Sequence, residues 1–148
     1  MKRIAIGAVL VLSLAAAGCG GGGSKTLSKA EYASELNQIC EGYNAKIKEI
    51  GRPANPAELA TKGPKLLREF EKAISKAEKL KAPDELEADA AAFVASAKEL
   101  DGAISALLDA AKKNDRGKIA PLVAKADAVA ARGDALGRKL GAPACANP

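Results

Sequence analysis

Three cysteines, Cys19, Cys40 and Cys145, are the residues of this chain best suited to chemistry, and no histidine accompanies them. A thiol becomes a nucleophile beside a base or cation that favours its thiolate, and zinc takes four nitrogen, sulfur or oxygen ligands set close together. Neither arrangement surrounds Cys40 or Cys145, since no histidine or second cysteine stands near either in sequence. The lack of histidine also removes the commonest general base near neutral pH. Carboxylates are plentiful but fall on the solvent sides of the helices inferred below, and no glycine-rich loop links a strand to a helix. These features predict a protein that is not an enzyme and carries neither metal nor cofactor.

Four further polar residues share one predicted helix. Tyr32 and Tyr43 stand eleven residues apart, nearly in register on one face, and Asn37 and Asn44 flank the same face seven residues apart. Such a set could border a ligand cleft or meet a partner. The favoured reading is packing for the two tyrosines and solvent-facing amides at the edge of the stripe for the two asparagines.

The first residues place the cysteines in context. Lys2 and Arg3 precede an apolar run from Ile4 to Leu14, too short to cross about 30 Å of hydrocarbon. A basic start, a short apolar stretch and small residues at Ala16, Ala17 and Gly18 read as a signal peptide over residues 1–18. The stretch Leu14-Ala15-Ala16-Ala17-Gly18-Cys19 resembles a bacterial lipobox, with Ala16 where leucine is usual. That resemblance implies cleavage before Cys19, lipid on its thiol and attachment to the outer face of the cell membrane. Gly20 to Gly23 and Ser24 then read as a flexible tether, residues 19–27 in all. With Cys19 taken by lipid in an oxidising compartment, Cys40 and Cys145 are left to form a disulfide.

Residues 28–148 must build the domain that holds these groups. Ser28 and Glu31 form a capping box, after which Ala33, Leu36, Cys40, Tyr43, Ile47 and Ile50 recur at helical spacing. Asn55-Pro56 opens a second stripe through Leu59, Leu66, Phe70, Ala73 and Ala77, with Pro64 inside it. Leu86, Ala90, Phe93, Ala97, Leu100, Ile104 and Leu107 form a third after an Asp84 cap, and Ile119, Leu122, Val129, Gly133 and Leu136 a fourth, with Pro121 near its start. Pro64 predicts first turns that are kinked or separate from the main helix, and Pro121 an irregular or kinked first turn. The expectation is an all-α, antiparallel up-down four-helix bundle with helices over 28–50, 56–80, 84–113 and 115–140. A reversal at Gly141 should send an extended strap back along the first helix to the disulfide. Hydrophobic residues make up 48% of the chain but aromatic ones only 3%, so the core must be thin and alanine-rich.

From Lys112 to Lys139 eight basic residues face three acidic ones. Lys118, Lys125 and Arg132 could therefore attract anionic headgroups or wall polymers, although a solvated face is the favoured reading. The overall charge of +5 is too mild to imply nucleic acid. Lipobox, tether, a cysteine in the first helix and the ending Leu140-Gly141-Ala142-Pro143-Ala144-Cys145 together resemble small secreted lipoproteins of high-GC Gram-positive bacteria. No established activity comes with that resemblance, which reinforces the disulfide rather than a function. The expected role is a lipid-anchored, monomeric binding module of the cell envelope, meeting another envelope protein, a wall polymer or headgroups. The alternative is an extracytoplasmic sensor or carrier of a small ligand, favoured by an internal cavity above about 300 Å³. Replacing Cys19 by alanine should abolish labelling by a lipid precursor and release the protein from the membrane fraction. Equal retention of both forms would count against the anchor.

Overall fold

The computed structural model describes residues 26–146. The expected signal peptide, the expected lipidation site Cys19 and residues 20–25 of the expected tether lie outside the described residues. Leu27, assigned by sequence to the tether, is docked: its amide donates to the Lys81 carbonyl at 3.0 Å and its side chain packs against the core.

Four helices carry the fold: α1 (Lys29–Ile50), α2 (Pro56–Ala77), α3 (Glu87–Lys112) and α4 (Arg116–Lys139). Short 3₁₀ turns at Asp84–Leu86 and Pro143–Cys145 precede α3 and follow α4, and no strand occurs among the described residues. The starts of α1 and α2 follow from their caps. The Glu31 amide donates to the Ser28 hydroxyl at 3.3 Å while the Glu31 carboxylate accepts from the Ser28 amide at 2.8 Å. Asn55 accepts from the Glu58 amide at 2.9 Å, with Pro56 in the first helical position. Each such cap satisfies donors that the first turn leaves unpaired.

Three local expectations are corrected. Asp84 does not cap α3 with its side chain; it begins the 3₁₀ turn, and Pro83 holds the extended backbone before it. Pro64 does not set the first turns of α2 apart from the rest of the helix, and Pro121 stands inside α4, since a proline removes only one amide donor. Helix α2 ends at Ala77, three residues short of the expected 80, where Lys79 and Leu80 take up turn hydrogen bonds. Between α3 and α4 the backbone turns at Asn114, whose φ of 52° lies in the left-handed region that asparagine tolerates.

Successive helices pack on one another, α1 on α2, α2 on α3 and α3 on α4, while the Pro143–Cys145 turn packs on both α1 and α4. The helices thus form a row that this turn closes into a ring. A tight core of Tyr32, Leu36, Ala77, Leu86, Ala90, Leu140 and Ala142 occupies one region. Phe93 packs against it half-buried, and elsewhere the middle residues of the stripes, Phe70, Ala97, Leu100 and Ile104, are only half-buried too. At the α2–α3 contact Gly63 is buried, and a Cβ placed on it would overlap Cδ2 of the buried Leu108. Gly63→Ala should therefore destabilise the fold by about 1–3 kcal/mol. Denaturant unfolding with an unchanged m-value would check it; a neutral effect would mean that Leu108 moves aside freely.

Candidate functional site

The end of α4 builds a closure in three steps. Gly141 adopts a φ of 77°, and the amides of Gly141 and Ala142 donate to the carbonyls of Arg138 at 3.1 Å and Gly137 at 2.9 Å. This pair of bonds is a Schellman motif, and glycine enters its left-handed position without a steric penalty. Next, Pro143–Cys145 winds as a 3₁₀ turn, and finally Cys145 bonds Cys40 with the Cα atoms 5.0 Å apart. The expected disulfide is thus present, but the strap is not extended. Leu140 and Ala142 are already buried in one cluster with Tyr32 and Leu36 of α1, so a single short turn reaches Cys40. The turn also lies close on α4, where a Cβ on Gly137 would come within 2.9 Å of Cys145 Cβ.

Two amides of α1 grip this turn. Asn37 Oδ1 accepts from the Ala144 amide at 2.9 Å, and Asn44 Nδ2 donates to the Ala144 carbonyl at 2.8 Å. Both polar groups of the residue preceding Cys145 are thereby satisfied by side chains seven positions apart. The reading of these asparagines as solvent-facing amides is corrected: they are half-buried staples of the strap. Their role depends on where residue 144 returns in space, which the local spacing of α1 does not encode. Asn44 Oδ1 is sealed from solvent and no protein group donates to it. A buried acceptor left in that state costs about 1–3 kcal/mol.

Beside the strap the helices line a cavity of about 290 Å³ that is partly open to solvent. Leu36, Tyr43 and Asn44 of α1, Phe70 and Ile74 of α2, Phe93, Leu100 and Ile104 of α3, and Val129 and Gly133 of α4 contribute to its wall, and Ala144 with the disulfide completes it. All four helices and the strap therefore meet around one space. Its lining is mainly apolar, and it contains no lysine or arginine. The polar exceptions are Asn44, Ser96, Asp134 and the Tyr43 hydroxyl. The Ser96 hydroxyl donates to the Val129 carbonyl at 3.2 Å across the α3–α4 contact. Tyr43 packs on Phe70 with ring centroids 5.3 Å apart, and burial pushes its phenol above the ordinary value, opposed by the Arg52 charge.

The other residues singled out in the sequence scatter. Tyr32 is 1% exposed and belongs to the tight core, so it offers no partner surface. Lys118 pairs with Asp115 at 2.9 Å and Arg132 with Glu99 at 2.7 Å, while Lys139 pairs with Asp89 at 2.8 Å. Lys125 is exposed and apart from these pairs. The excess of positive charge on α4 is thus partly matched by acids of α3 and of α4's own start. Ser96 and Asp134, which the sequence did not mark, reach the cavity wall, whereas Phe70, Ala97 and Ile104 were legible only as core positions.

Among the described residues no three metal-ligating side chains converge, and no helix is long and apolar enough to cross a membrane. Compared with protein-family models, curated proteins and solved structures, the chain matches none.

One carboxyl, away from the cavity, is pushed upward. Burial holds Asp101 above the usual aspartate value, with a further contribution from the Glu71 charge, and its Oδ1 accepts no hydrogen bond from the protein. A raised carboxyl favours the fold below the unfolded-state value and loses that advantage as pH rises through the folded value. At pH 7 the ionised form is therefore a burden, and Asp101→Asn should raise stability there. The gain should shrink towards pH 3; urea midpoints of both proteins at the two pH values would show it, and a gain that stayed constant or grew on acidification would contradict it.

Proposed function

We propose that this protein is a lipid-anchored, extracytoplasmic binding module that takes a small apolar molecule into the interior of its bundle. The cavity shared by all four helices and the disulfide strap carries this reading. Its volume of about 290 Å³ falls just below the range of ligand pockets, about 300 to 1,000 Å³, which suits only a small ligand. The sequential packing of the helices supports an antiparallel up-down order, in which the stripes face one interior. The lipobox resemblance supports the anchor and the outer face of the membrane as its location.

A ligand that covers the apolar side chains lining this partly open space removes their surface from water, worth about 25 cal/mol per Å². The disulfide stabilises the fold around it. Its bridged residues are 105 positions apart, and closing a loop of about that length contributes about 4.7 kcal/mol in the chain-entropy account. The reading as a docking module for anionic polymers has less support, because Lys118 and Arg132 already have acidic partners.

Neutral alkylbenzenes test the proposal. A ligand bound by the folded state alone raises the melting temperature in proportion to the logarithm of its concentration at saturation. Butylbenzene should therefore raise the melting temperature of the oxidised protein. Ala97→Phe, which places a ring in the cavity, should abolish the response and leave the ligand-free protein folded. No response in the natural protein would contradict the proposal.

A further inference from the structure

We infer that the Cys40–Cys145 bond is a redox-operated gate on the cavity: a dithiol that reduces it frees the strap and weakens the binding of an apolar ligand. This inference rests on the reading of the cavity as a binding site and adds the regulation of that site. The packing that joins α1 to α4 runs through the Pro143–Cys145 turn, which lies on both helices. Cys40 of α1 and Ala144 and Cys145 of this turn line the cavity. On the side between the first and last helices, the strap is therefore the wall.

The disulfide and the amide bonds from Asn37 and Asn44 to Ala144 tie the strap to α1. Water can replace a hydrogen bond but not a covalent one, so cutting the disulfide leaves the strap on exchangeable contacts. Leu140 and Ala142, buried in one cluster with Tyr32 and Leu36, hold the end of α4 to α1 without the bond. Its reduction thus opens one side of the cavity rather than unfolding the chain. Both cysteines are only half-buried, which leaves the bond within reach of a small thiol. The thiolate of a dithiol attacks one sulfur of the bond, and the other sulfur leaves as a thiolate. The second sulfur of the dithiol then displaces the first protein sulfur from the mixed disulfide. Two electrons and two protons pass to the protein, which ends with two thiols, while the dithiol ends as a disulfide. The gate is reciprocal: if the oxidised form binds a ligand more tightly by some factor, the bound ligand makes the bond harder to reduce by the same factor.

The test uses the full chain, butylbenzene as the probe and dithiothreitol as the dithiol. Calorimetry should find butylbenzene bound at least about fivefold more weakly by the reduced protein than by the oxidised one. In buffers of graded oxidised-to-reduced dithiothreitol, saturating butylbenzene should shift by the same factor the ratio at which half of the protein is reduced. Ala97→Phe, which fills the cavity, should form the bond and show no shift. The double variant Cys40→Ser, Cys145→Ser should bind like the reduced protein, with or without dithiothreitol. Far-UV circular dichroism of the reduced protein should keep most of its helical signal, as an opened strap requires. Equal affinity of the two redox forms, or an equal shift in Ala97→Phe, would overturn the gate while leaving the cavity reading intact. Loss of the helical signal on reduction would also overturn the gate, since weaker binding would then report unfolding. Failure of the oxidised protein to bind butylbenzene would overturn the cavity reading, and this inference with it.

Discussion

The Cys40–Cys145 bond is the constraint on which the rest of this structure depends. Helices α1 to α4 pack in sequence, and contacts of that kind alone leave the first and last helices of a row without a shared partner. The 3₁₀ turn ending at Cys145 supplies one, since it packs on α1 and α4 together. Its covalent link is reinforced by two amide bonds from Asn37 and Asn44 to Ala144. The close approach at Gly137 then leaves little room for the turn to sit differently. A covalent bond, two hydrogen bonds and a steric limit thus act on two adjoining residues, Ala144 and Cys145.

This closure explains how a core with so few aromatic residues can surround a cavity. Alanines at Ala73, Ala77 and Ala97 face the space, and their short side chains cannot fill what the two phenylalanines leave. Interiors normally pack to the density of organic crystals, and small side chains usually bring helices together until they do. Here the strap packs on both α1 and α4, beside the space lined by these alanines. The tight cluster around Tyr32 and Leu36 forms where Leu140 and Ala142 fold back on α1. The same return of the chain therefore creates the dense part of the core and borders the open one.

Much of the architecture was legible in the sequence because it is local. Capping at Ser28 and Asn55, the stripes of three-four spacing and the reversal at Gly141 each depend on residues within one or two turns of each other. The disulfide was legible for a different reason, since the lipobox resemblance left only one pair of cysteines. The candidate site was much less so. Asn37 and Asn44 carry no local mark of a staple, because their partner lies about a hundred positions away. Ser96 and Asp134 look like ordinary surface positions until the α3–α4 contact is known. The cavity itself is a property of how stripes meet, and a stripe rich in alanine is equally consistent with close packing. Tyr32, by contrast, follows the favoured reading from its place on the stripe and packs in the tight core.

The central claim, that the disulfide strap joins α1 to α4 around a shared interior, is tested most directly by amide hydrogen exchange of the intact chain before and after reduction of Cys40–Cys145. Local opening should follow the packing, with the least-supported elements losing protection first. The account predicts that reduction speeds exchange in α1 and in residues 137–146, while the amides of α2 and α3 around Gly63 and Leu108 keep more of their protection. Unchanged protection of α1 and of the C-terminal turn after complete reduction would contradict it.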